Sequence, residues 1–125
     1  MAFTTHSENR LRDSGPAAAQ HLLASGQLEV VRIVKATSTK GDTLEFSGVP
    51  TKQGSKARAV RVRFTADYLK LAPRFDAATG IIELFYPHRD HPEVHALLNG
   101  KSNRFCYFWR SERSGHTHAW LLSSQ

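Results

Sequence analysis

The sequence predicts a β-rich α+β domain: about six strands in a strongly bent, mainly antiparallel sheet or partly open small barrel, with two or three short helices. Three observations lead there. Stretches that alternate apolar and polar residues outnumber stretches with helical spacing. The joints between them are short and carry glycine, aspartate or proline, as hairpins require. The helical stretches are brief and are bounded by proline and glycine. Composition agrees: 40% hydrophobic and 10% aromatic residues in a chain of 125 is too apolar for a disordered polymer. A lone cysteine, Cys106, excludes a disulfide framework or a cysteine-rich zinc module. We expect a flexible N-terminus over 1–12 and one globular domain over 13–125.

Taken in order, Ser14-Gly15-Pro16 opens a helical signal that runs through Ala24 and stops at Gly26. Leu28 to Thr37 is rich in β-branched residues and apolar on both faces, which marks a central strand. After a turn at Lys40-Gly41-Asp42, Thr43 to Ser47 alternates with Leu44 and Phe46 inward. Gly48 to Ser55 reads as a loop with a flexible tip. Ala57 to Thr65 alternates again, with Val60, Val62 and Phe64 inward and Arg61 and Arg63 outward. A short helix is expected over 66–71 and a loop over 76–80. Ile81 to Tyr86 is a strand ended by Pro87. Asp90-His91-Pro92-Glu93 has the form of a capping box opening a helix that closes at Asn99-Gly100. Two last strands, 103–111 and 116–122, flank a turn.

Charge gives the strongest functional lead. The formal net charge is +6, and it is uneven. Residues 46–66 hold Lys52, Lys56, Arg58, Arg61 and Arg63 with no acid, and residues 101–125 hold Lys101, Arg104, Arg110 and Arg113 against Glu112 alone. The remaining segments are neutral or mildly acidic. A concentrated positive field suits an anionic partner. Arg61 and Arg63 share a face about 7 Å apart along their strand. Arginine grips a phosphate through two parallel hydrogen bonds, while lysine acts as a mobile point charge. Guarding of an edge strand by positive charge is the plainer explanation.

Asn103 to Arg110 is the densest aromatic stretch. Phe105, Tyr107 and Trp109 alternate with Arg104, Cys106, Phe108 and Arg110. Aromatic platforms beside arginine serve single-strand binders, but a core strand buried on both faces explains most of these rings as well. The same residue types are enriched at subunit interfaces, so a homodimer is expected.

The chain has seven histidines. His88, His91 and His95 have spacing that can place imidazoles on one metal, a weak signal because such spacings arise by chance. His116 or His118 with Arg110 across the last hairpin would supply acid, base and phosphate stabiliser for a small nuclease. No catalytic residue and no cofactor is assigned. The expected function is a nucleic-acid-binding domain, DNA favoured over RNA, using Lys52, Lys56, Arg58, Arg61, Arg63, Arg104 and Arg110. A nuclease, metal-free or metal-assisted, and an interaction module for an acidic protein are the alternatives. No apolar run reaches membrane-helix length and no leader-like apolar stretch opens the chain, so a cytoplasmic setting without membrane contact is expected.

Overall fold

The computed structural model describes residues 2–4, 26–38, 41–66, 71–100 and 103–124. Eight strands form one mixed sheet: β1 (Ala2–Thr4), β2 (Gly26–Ser38), β3 (Thr43–Pro50), β4 (Ala59–Thr65), β5 (Arg74–Asp76), β6 (Ile81–Pro87), β7 (Asn103–Ser111) and β8 (Thr117–Ser124). Their order is β1-β8-β7-β2-β3-β4-β6-β5. One helix, α1 (His91–Leu98), follows a 3₁₀ turn over His88–Asp90.

The sheet curls into a nearly closed barrel. Two contacts mark the closure. Phe75 of β5 lies 5.9 Å, centroid to centroid, from Phe108 of β7. Thr117 Oγ1 of β8 donates to the carbonyl of Pro73, just before β5, at 2.6 Å. Long β2 makes the curl possible. It pairs with β7 over its first half and with β3 over its second, and its register with β3 slips twice, after Ile33 and after Ala36. Such irregularities bend a strand and increase its twist.

Period-two alternation fills the interior. Leu44 and Phe46 of β3, Val60, Val62 and Phe64 of β4, and Ile82, Leu84 and Tyr86 of β6 all point inward and are buried. Cys106 and Phe108 of β7 meet them, and α1 seals the assembly with Val94, Leu97 and Leu98.

The bent, β-rich α+β class predicted above is observed, with differences in detail. Eight strands replace six, and one α-helix lies among the described residues. The two missed strands, β1 and β5, have three residues each, too few to show alternation. Ala2–Thr4, expected to fray, pairs with Leu122–Trp120. One pairing is parallel: β4 runs alongside β6, because the chain passes to β5 first and then folds back into the gap. Asp90 stands at the N-cap of α1 but its side chain makes no capping bond, since its backbone is already helical. The helix predicted over 14–24 lies outside the described residues, as do 67–70 of the one predicted over 66–71. No described helix is long and apolar enough to cross a membrane.

Candidate nucleic-acid interface

The basic loop between β3 and β4 is pinned, not flexible. Its anchor is Glu29, which shares an inward face of β2 with Val31 and Ile33 and is 5% exposed. Glu29 Oε1 accepts hydrogen bonds from the Lys56 backbone N–H at 2.7 Å and from Ser55 Oγ at 2.9 Å, and Oε2 accepts from Gln27 Nε2 at 3.0 Å. A buried carboxylate needs such partners, because desolvating it without them is costly. Ser55 Oγ also accepts from the Val30 N–H at 3.2 Å. The Ser55 N–H donates to the Lys52 carbonyl at 3.0 Å, and the Thr51 N–H to the Val30 carbonyl at 3.1 Å. Ala57 follows, fully buried. The loop thus packs into one end of the barrel.

From that fixed base, Lys56 and Arg58 stand exposed beside the β5–β6 turn. The Arg58 N–H donates to the Gly80 carbonyl at 2.7 Å, while the Gly80 N–H donates to the Asp76 carbonyl at 2.7 Å. Gly80 has φ +75°, and a Cβ there would sit 2.8 Å from the Lys56 carbonyl oxygen. Only glycine suits both demands. The result is a concavity of about 260 Å³ lined by Lys56, Arg58, Ala77, Ala78, Thr79 and Gly80. No acid lines it.

Thr79 also lines a second concavity, of about 370 Å³, that holds Arg61, Arg74 and Glu83. Here the charges are paired. Glu45, Arg61, Glu83 and Arg74 are successive cross-strand neighbours on β3, β4, β6 and β5, an alternating row on the outer face of the sheet. Arg61 Nε binds Glu45 Oε1 at 2.7 Å, and Arg74 Nε binds Glu83 Oε1 at 2.6 Å. Glu83 Oε2 accepts no hydrogen bond but lies 3.6 Å from the Nη1 atoms of both Arg61 and Arg63. The Glu45 hydrogen bond is the main reason that Arg61 titrates above its ordinary value, with Coulomb attraction to Glu45 and Glu83 added.

The seven predicted contact residues therefore have different fates. Lys56 and Arg58 share one exposed concavity. Lys52 folds back, its Nζ donating to the Gln53 carbonyl at 3.3 Å. Arg61 and Arg63 share an outer face as predicted, but both lean on the buried Glu83. Arg104 Nη1 donates to the Leu98 carbonyl at the end of α1, and Nη2 to the Val34 carbonyl at 3.3 Å. Arg110 lies over the Phe108 ring, 5.6 Å from its centroid. Edge guarding does not explain the basic strand, because β4 is internal, paired with β3 and β6.

The aromatic strand is one-sided. Cys106 and Phe108 face the core, while Phe105, Tyr107 and Trp109 are half-buried on the outer face. Tyr107 stacks on Trp120 at 5.3 Å with 3° between planes, and Trp109 on His118 at 5.3 Å with 17°. Burial pushes the Cys106 thiol far above its ordinary range, which leaves it inert as a nucleophile.

Among the described residues His91 and His95 come together on α1, their rings stacked 5.7 Å apart, but no third ligand joins them. Arg110 faces Thr117 across the hairpin, and His116 sits in the turn. His118 joins Trp109 outside while Arg110 lies on the core side, so the nuclease constellation is split across the sheet. His88 Nδ1 is 3.8 Å from Asp42 Oδ1, His91 packs on Phe64 at 4.4 Å, and His95 Nε2 meets Asn99 Nδ2 at 3.1 Å. No three metal-ligating side chains converge among the described residues.

Four contributors were not singled out beforehand: Glu29, Arg74, Gly80 and Glu83. Glu29 carried a signal, as a carboxylate in register with inward Val31 and Ile33. Arg74 and Glu83 become neighbours only through the turn that ends at Gly80. No protein-family model matches the chain, and neither a curated protein nor a solved structure does.

Proposed function

We propose that the chain is a nucleic-acid-binding domain that grips the phosphate backbone, DNA favoured over RNA, with Lys56 and Arg58 as the principal contacts. The observation that carries this reading is the concavity between the pinned loop and the β5–β6 turn: two exposed cations and no acid. Small residues form its opposite wall, so an anion can approach both cations at once. Arg63 and Arg74, exposed at their outer ends, extend the positive surface along the sheet. Backbone contact of this kind reads charge and shape, not base sequence. A homodimer belongs to the proposal, since two copies double the cations offered to one strand.

The test is fluorescence anisotropy with labelled oligonucleotides over a salt series. Affinity should fall steeply with salt, and K56A/R58A should weaken every sequence alike. Each lost phosphate contact lowers the log–log salt slope by about 0.7–0.9. Arg61→Ala should change it less, because Glu45 already holds that guanidinium. No binding at low salt, or an unchanged slope in K56A/R58A, defeats the reading. Polyglutamate competing as well as an oligonucleotide of equal charge would point to an acidic protein partner instead.

A further inference from the structure

Arg74 differs from the other cations of this surface. It sits on the outermost strand, with its Nε fixed to Glu83 Oε1 at 2.6 Å. Its guanidinium carbon lies over the Phe85 ring, 5.6 Å from the centroid. Glu83 is buried, so it is a rigid holder. Two independent contacts thus immobilise a planar group, yet the side chain remains 66% exposed. An ordinary surface arginine samples many rotamers, and holding one still costs entropy. Here that cost is already met within the folded chain. A fixed, weakly hydrated guanidinium plane is a surface on which a nucleobase stacks.

Its position matters too. The cross-strand row holding Arg74 lies two residues, about 7 Å, from the row of Asp76 and Ile81 where the β5–β6 turn begins. Thr79 of that turn lines both concavities. A phosphate held by Lys56 and Arg58 therefore has a stacking surface close by. The aromatic pairs on β7 and β8 are less suited, since each ring already covers its neighbour.

We propose that Arg74, backed by Phe85 and held by Glu83, is a base-stacking platform, and that the preferred ligand is single-stranded nucleic acid with unstacked bases. This rests on the phosphate-contact reading of Lys56 and Arg58. In a duplex the base faces are buried against one another and cannot reach such a plane. Glu83 acts through Arg74 and is a positioning residue.

Three probes of roughly 12 nucleotides test it: single-stranded oligothymidine, an abasic strand of the same length, and a duplex. Wild-type protein should bind oligothymidine about tenfold more tightly than the abasic strand, the order expected for one stacked base. Arg74→Lys keeps the charge and loses the plane. It should remove most of that preference while leaving abasic-strand affinity within about twofold. Phe85→Leu, which frees the guanidinium on one side, should give a smaller loss of the same kind. Circular dichroism and thermal melting establish that both variants are folded. Equal wild-type affinity for the oligothymidine and abasic strands overturns the platform alone. So does an R74K variant that weakens both strands equally, because Arg74 is then only a cation. If the wild type binds none of the three probes, the phosphate-contact reading fails first.

Discussion

Glu29→Ala separates placement from charge. The substitution removes the acceptor of the Lys56 N–H and of the Ser55 hydroxyl, and frees Gln27 Nε2. Hydrogen bonds to a charged group contribute about 1.5–3 kcal/mol each. The freed Gln27 amide and the loop groups gain partial access to water, so the lower half of the range applies. Counting the two loop bonds at about 1.5 kcal/mol each and nothing for the Gln27 amide, which water can serve, the expected loss is about 3 kcal/mol, or roughly 10–15 °C in Tm for a chain of this size. Urea unfolding measures it, and hydrogen exchange locates it: the Lys56 amide should lose protection well before the amides of β6. Nucleic-acid affinity is the second assay, and there the two physical terms oppose each other. Deleting a carboxylate raises the net charge by one unit, which on electrostatics alone tightens binding to phosphate. Losing the anchor releases Lys56 from the concavity, while Arg58 stays held through Gly80 and Gly48, and this weakens binding. Weaker binding with a lower salt slope is expected at a temperature where the variant is folded. A stability change below about 0.5 kcal/mol with an unchanged Lys56 amide would show that the latch does not hold the loop.

Arg104→Ala should lower stability by about 1–2 kcal/mol in urea unfolding, by releasing the Leu98 and Val34 carbonyls, and should leave oligonucleotide affinity nearly unchanged. Gly80→Ala should cost at least about 1–2 kcal/mol, since it meets both a positive φ and the Lys56 carbonyl, and it should also weaken binding by displacing Arg58. Burial raises the Cys106 thiol pKa, so above the ordinary thiol value of about 8.5 the unfolded chain loses a proton that the folded chain keeps. Stability is therefore retained below that pH and falls as pH rises, with a limiting slope of about 1.4 kcal/mol per unit from this group. Denaturation between pH 8 and 10 should show a flatter profile for Cys106→Ala, and the native thiol should resist a thiol-specific reagent until unfolding.

Much of the barrel was legible because its strands are half-buried. In β3 and β4 the inward residues are apolar and most outward ones polar, so period two names both strand and face, while β6, apolar on both faces except Glu83, is named by its run of strand formers ended at Pro87. The β3–β4 hairpin and the centrality of β2 were readable for the same reason. The parallel β4–β6 pairing was not, because strand direction depends on where β5 goes, and three residues leave no periodic trace. The basic patch shows a different failure. A window over 46–66 ends one residue short of Glu45, the cross-strand neighbour of Arg61. The second acid, Glu83, is far along the chain but one strand away in space. Charge counted along a sequence misses the partner that a sheet places sideways. Glu29 went unread because a carboxylate between apolar residues resembles a solvated position until its partners, Ser55 and the Lys56 amide, fold over it.

The closure between β5 and β8 bears on how this barrel breathes. Elsewhere around the ring, neighbouring strands are joined by backbone ladders that break only together. Among the described residues, this joint is held by the Thr117 hydroxyl on the Pro73 carbonyl, with Phe75 of β5 reaching through the core to Phe108 of β7. A ring fastened everywhere but at one seam opens at the seam. Heat or mild denaturant should therefore part β5 from β8 first, and the same event loosens the strand that carries Arg74, while the turn at Gly80 stays tied to the Arg58 N–H. The stiffness of that seam then sets how firmly Arg74 is held beside the cations of Lys56 and Arg58.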